Sequence, residues 1–307
     1  MSQDGSRARA PDVLVLGGGG ILGEAWLTAV LAGIADAGAF DARDCGQLIG
    51  TSAGSIVAAM LVAGADPRAE LGQLPEQPPV AEGAPASGGV DLLATGASIG
   101  SAVVAPLAPF LLRAGAAGRL PRRAALSRVP PGRLDLGDLG QRIAAAGARW
   151  DGRLRIAVLE LDSGRRVILD GSEEPAIPVS KAVQASCAIP GVFRPVVIGQ
   201  RRYVDGGAWS PTNLDTAEVE KGASILCLNP TGSLRPTRGS VFGALGPLSR
   251  SAAAIEAAAV RRRGASVEVV SPDRDSAAAM GSNLMRYEPR ERVHAAGFAQ
   301  GRRLGRS

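Results

Sequence analysis

The sequence predicts an α/β fold. Three observations carry that expectation. An apolar run enters a glycine loop at VLVLGGGG (13–20), a helical period follows at EAWLTAVLAGIADAG (24–38), and QLIG (47–50) with AGSIVAAMLVAG (53–64) repeats the same order. Short apolar runs bounded by glycine suit buried strands, and the longer periodic stretches suit the helices that connect them. Gly38 stops the first helix.

Later elements continue the pattern. LRIAVLELDSGRRVILD (154–170) reads as two strands joined by a turn at Asp162-Ser163-Gly164. IPVSKAVQASCAIPG (177–191) reads as a helix ended by Pro190-Gly191, and PVVIGQRRYVDGG (195–207) as two strands around Gly199-Gln200. A strand at 224–230, a helix at 251–263 and a last strand at 265–273 follow, with a basic helical end at Arg302, Arg303 and Arg306. Residues 66–150 fit this scheme less well. Pro and Gly crowd 75–89, and LLATGASIGSAVVAPLAPFLL (92–112) runs 21 residues without a charge. That length could span a bilayer, but its two prolines, two glycines and several hydroxyls weaken the hydropathy, so a buried helix pair or a cap with an apolar underside is expected.

The chain has 307 residues, 46% hydrophobic and 21% charged, ample for a folded core. Its net charge of +5 is almost all arginine, since Lys181 and Lys221 are the only lysines. The plain reading is a solvated basic surface; the sharper one is attraction to an anionic membrane surface or lipid headgroups. No binding motif or aromatic-interleaved basic stretch supports nucleic acid. Cys45, Cys187 and Cys227 lie far apart without metal-like spacing, which excludes a disulfide framework and fits a reducing compartment. The opening MSQDGSRARAPD lacks the apolar stretch of a signal peptide. A cytoplasmic protein with a disordered segment over residues 1–10 is expected.

Two glycine motifs carry the chemistry. Gly50-Thr51-Ser52-Ala53-Gly54 joins a strand to a helix, the setting that exposes a nucleophilic serine on a sharp turn beside a helix N-terminus. The same pattern recurs at Gly96-Ala97-Ser98-Ile99-Gly100, but without a leading strand, so Ser98 is the decoy. Gly17-Gly18-Gly19-Gly20-Ile21-Leu22-Gly23 frees backbone N–H groups for an anion. That anion is either a dinucleotide pyrophosphate, with Asp36 or Asp41 near the ribose-binding distance, or the oxyanion of acyl transfer. Only the second reading uses Ser52. The serine needs a base. His294 is the only histidine, and a Ser52–Asp205–His294 order would make a conventional triad, yet its helix looks ordinary. The alternative is Asp205 acting alone, ending a strand ahead of Gly206 and Gly207. Burial and a short hydrogen bond would improve so weak a base.

In this order GGGGILG (17–23), GTSAG (50–54) and DGG (205–207), with Ala185-Ser186-Cys187-Ala188-Ile189-Pro190 before the aspartate and Asn213 after it, resemble the patatin-like phospholipase family. The resemblance implies a three-layer α/β/α fold with a mostly parallel central sheet and a helical cap-like insertion. It also implies a single domain over 1–307, with 66–150 as the cap region. It implies a hydrolase of lipid carboxylic esters (phospholipid, lysophospholipid or glyceride) with Ser52 as nucleophile, Asp205 as general base and the N–H groups of Gly18, Gly19 and Gly20 as oxyanion hole. Gly17, Gly23, Gly50, Gly54, Gly206 and Gly207 support these motifs. No metal or cofactor is implied. Leu22 stands where the family usually has Arg or Lys, and Arg286 in GSNLMRYEP stands where an acid is frequent. A non-catalytic lipid- or partner-binding protein on the same scaffold is the main alternative.

Overall fold

The computed structural model describes residues 9–72, 126, 128–173, 176–234 and 245–306. Its elements, in chain order, are β1 (Val13–Leu16), α1 (Gly20–Asp36), β2 (Gln47–Thr51), α2 (Ala53–Val62), α3 (Pro67–Gly72) and α4 (Gly137–Ala145). They continue with β3 (Leu154–Glu160), β4 (Arg165–Leu169), α5 (Val179–Cys187), β5 (Val196–Ile198), β6 (Arg201–Asp205), β7 (Ser224–Leu228), α6 (Leu245–Arg261), β8 (Ser266–Val270), α7 (Arg274–Met280) and α8 (Arg290–Leu304). Residues 1–8 of the expected disordered segment, the 92–112 stretch, Ser98 and most of the expected cap lie outside the described residues.

One sheet organises the chain, in the order β5-β6-β3-β2-β1-β7-β8, with β4 also pairing β3. The pairs β1–β2, β1–β7, β2–β3 and β7–β8 are parallel, whereas β3–β4, β3–β6 and β5–β6 are antiparallel. Each strand of the parallel half divides its side chains between two cores because successive residues face opposite ways. In β1, Leu14 and Leu16 join one core with residues of α1, α2 and α5, while Val13 and Val15 join another with Ala257 and Val260 of α6. Helices thus cover both faces, giving the expected three-layer α/β/α arrangement.

Helix α1 begins at Gly20, inside the glycine motif, rather than at residue 24. It is buried nearly all round, from Leu22 to Ile34, as befits a helix packed between a sheet and another helix. Its outer neighbour is α8. A Cβ added to Gly301 would lie 2.1 Å from the Val30 carbonyl oxygen, and one added to Gly33 would lie 2.2 Å from that of Phe298, so the two backbones all but touch.

The sheet's register places the site. Along β3, Ala157 pairs with Thr51 of β2 and Val158 pairs with Asp205 of β6. Strand β4 pairs with residues 156–160, overlapping both partners, so it takes the opposite edge of β3. Strands β2 and β6 therefore share one edge and meet end to end, one pointing up and the other down. The last residue of each lies beside the last residue of the other.

Candidate active site

Ser52 follows β2 directly, with φ 51° and ψ −122°. Such a backbone is strained for a residue with a Cβ, at a cost on the order of 1–3 kcal/mol, and persists only where its surroundings over-determine it. They do so here. The Ser52 N–H donates to Ser186 Oγ at 2.9 Å, and the Ser52 carbonyl accepts from the Ser55 N–H at 2.8 Å and the Ser55 hydroxyl at 2.7 Å. The motif's glycines are required by contact. A Cβ on Gly54 would lie 1.9 Å from the Leu16 carbonyl oxygen, and one on Gly50 would lie 2.5 Å from Ser55 Cα. These two gaps let α2 turn back onto β1 at once.

Asp205 is buried, 3% exposed. Its N–H donates to the Ala188 carbonyl at 2.9 Å, and its Oδ1 accepts from the Gly207 N–H at 2.7 Å. The Ser52 side chain is near enough to lower its carboxyl as well. Burial pushes its carboxyl up to about 6, against the smaller lowering by Ser52 and Gly207. Gly206 lies flat against β3, where a Cβ would come within 2.3 Å of the Ala157 carbonyl oxygen. One glycine thus lets the chain hug β3 and the next supplies the N–H that orients the carboxylate.

The glycine loop closes the other side. A Cβ on Gly18 would lie 3.3 Å from Ser52 Cβ, so the loop passes over the serine. The Gly17 N–H donates to Leu228 at 2.9 Å and the Gly18 N–H to Pro211 at 2.8 Å. This corrects the expected donor set: Gly18 is committed to Pro211 and has no proton left for an oxyanion. The N–H groups of Gly19, Gly20 and Ala53 have no hydrogen-bond partner among the described residues. Gly20 opens α1 and Ala53 opens α2, so two helix N-termini converge beside Ser52, where negative charge is favoured.

The loop between Asp205 and β7 is pinned from below. Asn213, itself at φ 50° and fully buried, donates from Nδ2 to the Ser210 carbonyl at 2.7 Å and to Thr51 Oγ1 at 3.1 Å, tying this loop to the end of β2. Glu256 of α6 accepts from the Thr212 hydroxyl at 2.6 Å and the Leu214 N–H at 2.8 Å. Burial pushes that carboxyl up.

His294 has no place in this network. Both its ring nitrogens are buried and have no hydrogen-bond partner among the described residues. It lines a separate groove with Asp36, Arg68, Leu71, Ala295 and Phe298. Leu22, where a basic residue was expected from the resemblance, is fully buried in the core, and its N–H donates to the Leu284 carbonyl at 3.0 Å. A Cβ on Gly20 would meet Met285 Sδ at 2.6 Å. Residues 284–285 therefore hold the glycine loop, a role the sequence did not disclose. Asp36 forms an ion pair with Arg302, and Asp41 caps a short turn by accepting from the Arg43 N–H, so each is occupied structurally. Among the described residues there is no group of three or more His, Cys, Asp or Glu that could hold a metal, and no helix long and apolar enough to cross a membrane.

The site thus joins, at one edge of a mixed sheet, a strained serine at the end of a parallel strand, a helix N-terminus and a buried carboxyl. The family model for Patatin-like phospholipase matches residues 142–218, a quarter of the chain, which carry the Ser186 segment, Asp205 and Asn213 but neither glycine motif. Two solved structures are similar at low identity. VipD from Legionella pneumophila is 16% identical with a TM-score of 0.44, covering 98% of this chain and 67% of VipD. The type III effector protein ExoU is 17% identical with a TM-score of 0.41, covering 98% of this chain and 53% of ExoU. This chain thus spans about two thirds of the first and about half of the second. No curated protein matches it.

Proposed function

We propose that the chain is a serine acyl hydrolase that cleaves lipid carboxylic esters through a Ser52–Asp205 dyad. The observation that carries the reading is the buried Asp205 carboxyl, raised to about 6 and brought by the β3 register to the end of the strand that leads into a serine on a strained turn. A carboxylate at its ordinary value is a poor base for an alcohol; raising it towards the working pH improves proton transfer. Asp205 accepts the hydroxyl proton as Ser52 Oγ attacks the ester carbonyl. The N–H groups of Gly19 and Gly20, joined by Ala53, receive the oxyanion. The alcohol leaves with a proton from Asp205. Water, deprotonated by Asp205, then attacks the acyl-serine; Asp205 returns that proton to Ser52 Oγ as the acyl–oxygen bond breaks and the acid is released.

The lipid part of the reading rests on the family description, Patatin-like phospholipase. The net charge of +5 supports peripheral contact with an anionic membrane surface from the cytoplasmic side. In this reading the chain is one domain and no metal or cofactor takes part.

Hydrolysis of a medium-chain p-nitrophenyl ester by wild type, Ser52→Ala, Asp205→Asn and His294→Ala tests the proposal. The expected outcome is an active wild type and His294→Ala beside two inactive folded variants. Loss of activity in folded His294→Ala would favour the conventional triad. A wild type inert to esters and phospholipid vesicles, and unlabelled by a fluorophosphonate probe, would make the chain a binding protein on a hydrolase scaffold.

A further inference from the structure

Ser186 is wholly buried and lies in the last turn of α5. Its hydroxyl has one proton and two acceptor positions. The proton goes to the Ala157 carbonyl at 2.8 Å, because a carbonyl can only accept. An acceptor position takes the Ser52 N–H at 2.9 Å, because an amide can only donate. Both directions are therefore fixed by chemistry. Two residues further on, the Ala188 carbonyl accepts the Asp205 N–H at 2.9 Å. The C-terminal end of α5 thus grips the backbone N–H of the serine and that of the aspartate within three residues of chain. Ala157 is the third point of the frame: it pairs with Thr51, it borders Val158, which pairs with Asp205, and Gly206 packs on its carbonyl.

We infer that Ser186 is a positioning residue of the reaction, one that fixes the Ser52 backbone against Ala157 and so sets the angle at which the serine meets Asp205 and the oxyanion donors. The inference rests on the acyl-hydrolase reading above. Its hydrogen bond also assigns the Ser52 N–H to structure, which leaves the oxyanion to Gly19, Gly20 and Ala53. Without the hydroxyl, the Ser52 N–H and the Ala157 carbonyl would both be buried without partners, at the residue whose strained backbone most needs them.

The test measures kcat and KM across pH for wild type, Ser186→Ala and Ser186→Cys on the same ester, with thermal melts to establish folding. The thiol keeps the volume and most of the packing while bonding weakly, so it serves where the alanine variant fails to fold. Both substitutions are expected to lower kcat about 10- to 100-fold, the scale of an ångström of misplacement, with KM little changed. The acid limb of kcat/KM should move to higher pH, because the lowering of Asp205 by the Ser52 side chain is weakened. A purely structural role would lower the melting temperature and leave kcat and the acid limb of the folded protein in place, which would overturn the inference while fluorophosphonate labelling of wild type upheld the hydrolase. Absence of labelling and turnover in wild type would overturn both.

Discussion

The two halves of the sheet build the two halves of the site by different means. In the parallel half, β2 runs into α2, and the turn between them makes locally the strained backbone, the helix N-terminus and the two contact glycines, with Ser186 adding one distant hydrogen bond to the Ser52 N–H. In the antiparallel half, β6 ends at Asp205, which is followed by a single 3-10 turn at Gly206–Ala208 and not by a crossover helix. The carboxyl has one local contact, from Gly207, and its strand is otherwise placed by borrowed ones, from Ala188 and from the Val158 register. A parallel strand with its crossover helix carries most of its half of the site in its own sequence. An antiparallel strand delivers a residue only where its partner strand puts it.

The comparison breaks hardest at the glycines. Gly54→Ala would set a Cβ 1.9 Å from the Leu16 carbonyl oxygen, so α2 would have to withdraw from β1. Overpacking of this kind costs about 1–3 kcal/mol or more, and here it also dislocates Ser52. The expected result is a large drop in denaturant midpoint together with loss of esterase activity. Gly199→Ala, in the β5–β6 turn of the antiparallel half, has nothing within 4 Å but sits at φ 59°. It should cost only about 1–2 kcal/mol, the left-handed penalty, and leave turnover intact. Equal effects from the two would show that the turn between β2 and α2 is no more constrained than a surface hairpin.

Asp205→Asn separates stability from activity. The native carboxyl sits at about 6, above its ordinary 3.8, so the folded protein holds that proton more tightly than the unfolded chain. Its contribution to stability is full below about 3.8, is lost as pH rises through about 6, and above that the buried carboxylate costs up to about 3 kcal/mol. The asparagine variant should therefore melt higher than wild type at pH 7.5, converge with it near pH 4, and be inactive throughout. In wild type, kcat/KM should fall as pH drops through about 6, since the base must be ionised. A variant less stable than wild type at pH 7.5 would mean that the carboxylate's hydrogen bonds outweigh its burial.

The contrast also explains what could be read from the sequence. The strand–glycine–helix units were legible because their signals are local: apolar period, glycine position and helix stop all fall within about fifteen residues. The expected strands and helices outside 66–150 are present, and the three-layer arrangement follows from them. The meeting of Ser52 with Asp205 was suggested by motif order, but its cause, β2 and β6 end to end on one edge of β3, is a matter of register between distant segments. Gly18 was misread as an oxyanion donor for the same reason, since its partner Pro211 is nearly two hundred residues away. Ser186 was visible only as part of a pattern. Ala53 stood in plain sight as the first residue of a predicted helix, and the rule that a helix leaves its first N–H groups unpaired could have found it.

The smallest effect is expected at His294, and it tests whether the antiparallel half supplies the only base. Burial, helped by the neighbouring Arg290, pushes this imidazole down to about 4. Its folded value thus lies below the ordinary 6.5, so its stabilisation is present above about 6.5 and is lost as pH falls through about 4. Arg68 and Asp36 also line its groove, and they are engaged with Asp66 and Arg302. His294→Leu replaces two unpartnered buried nitrogens by carbon, which should stabilise the fold at pH 7.5 by about 1 kcal/mol and move acid unfolding to lower pH. Ester turnover at pH 7.5 should be unchanged. A folded His294→Leu without turnover would put the proton on the imidazole and reduce Asp205 to its orienting partner, and the one-carboxylate site would give way to a triad spanning both halves of the sheet.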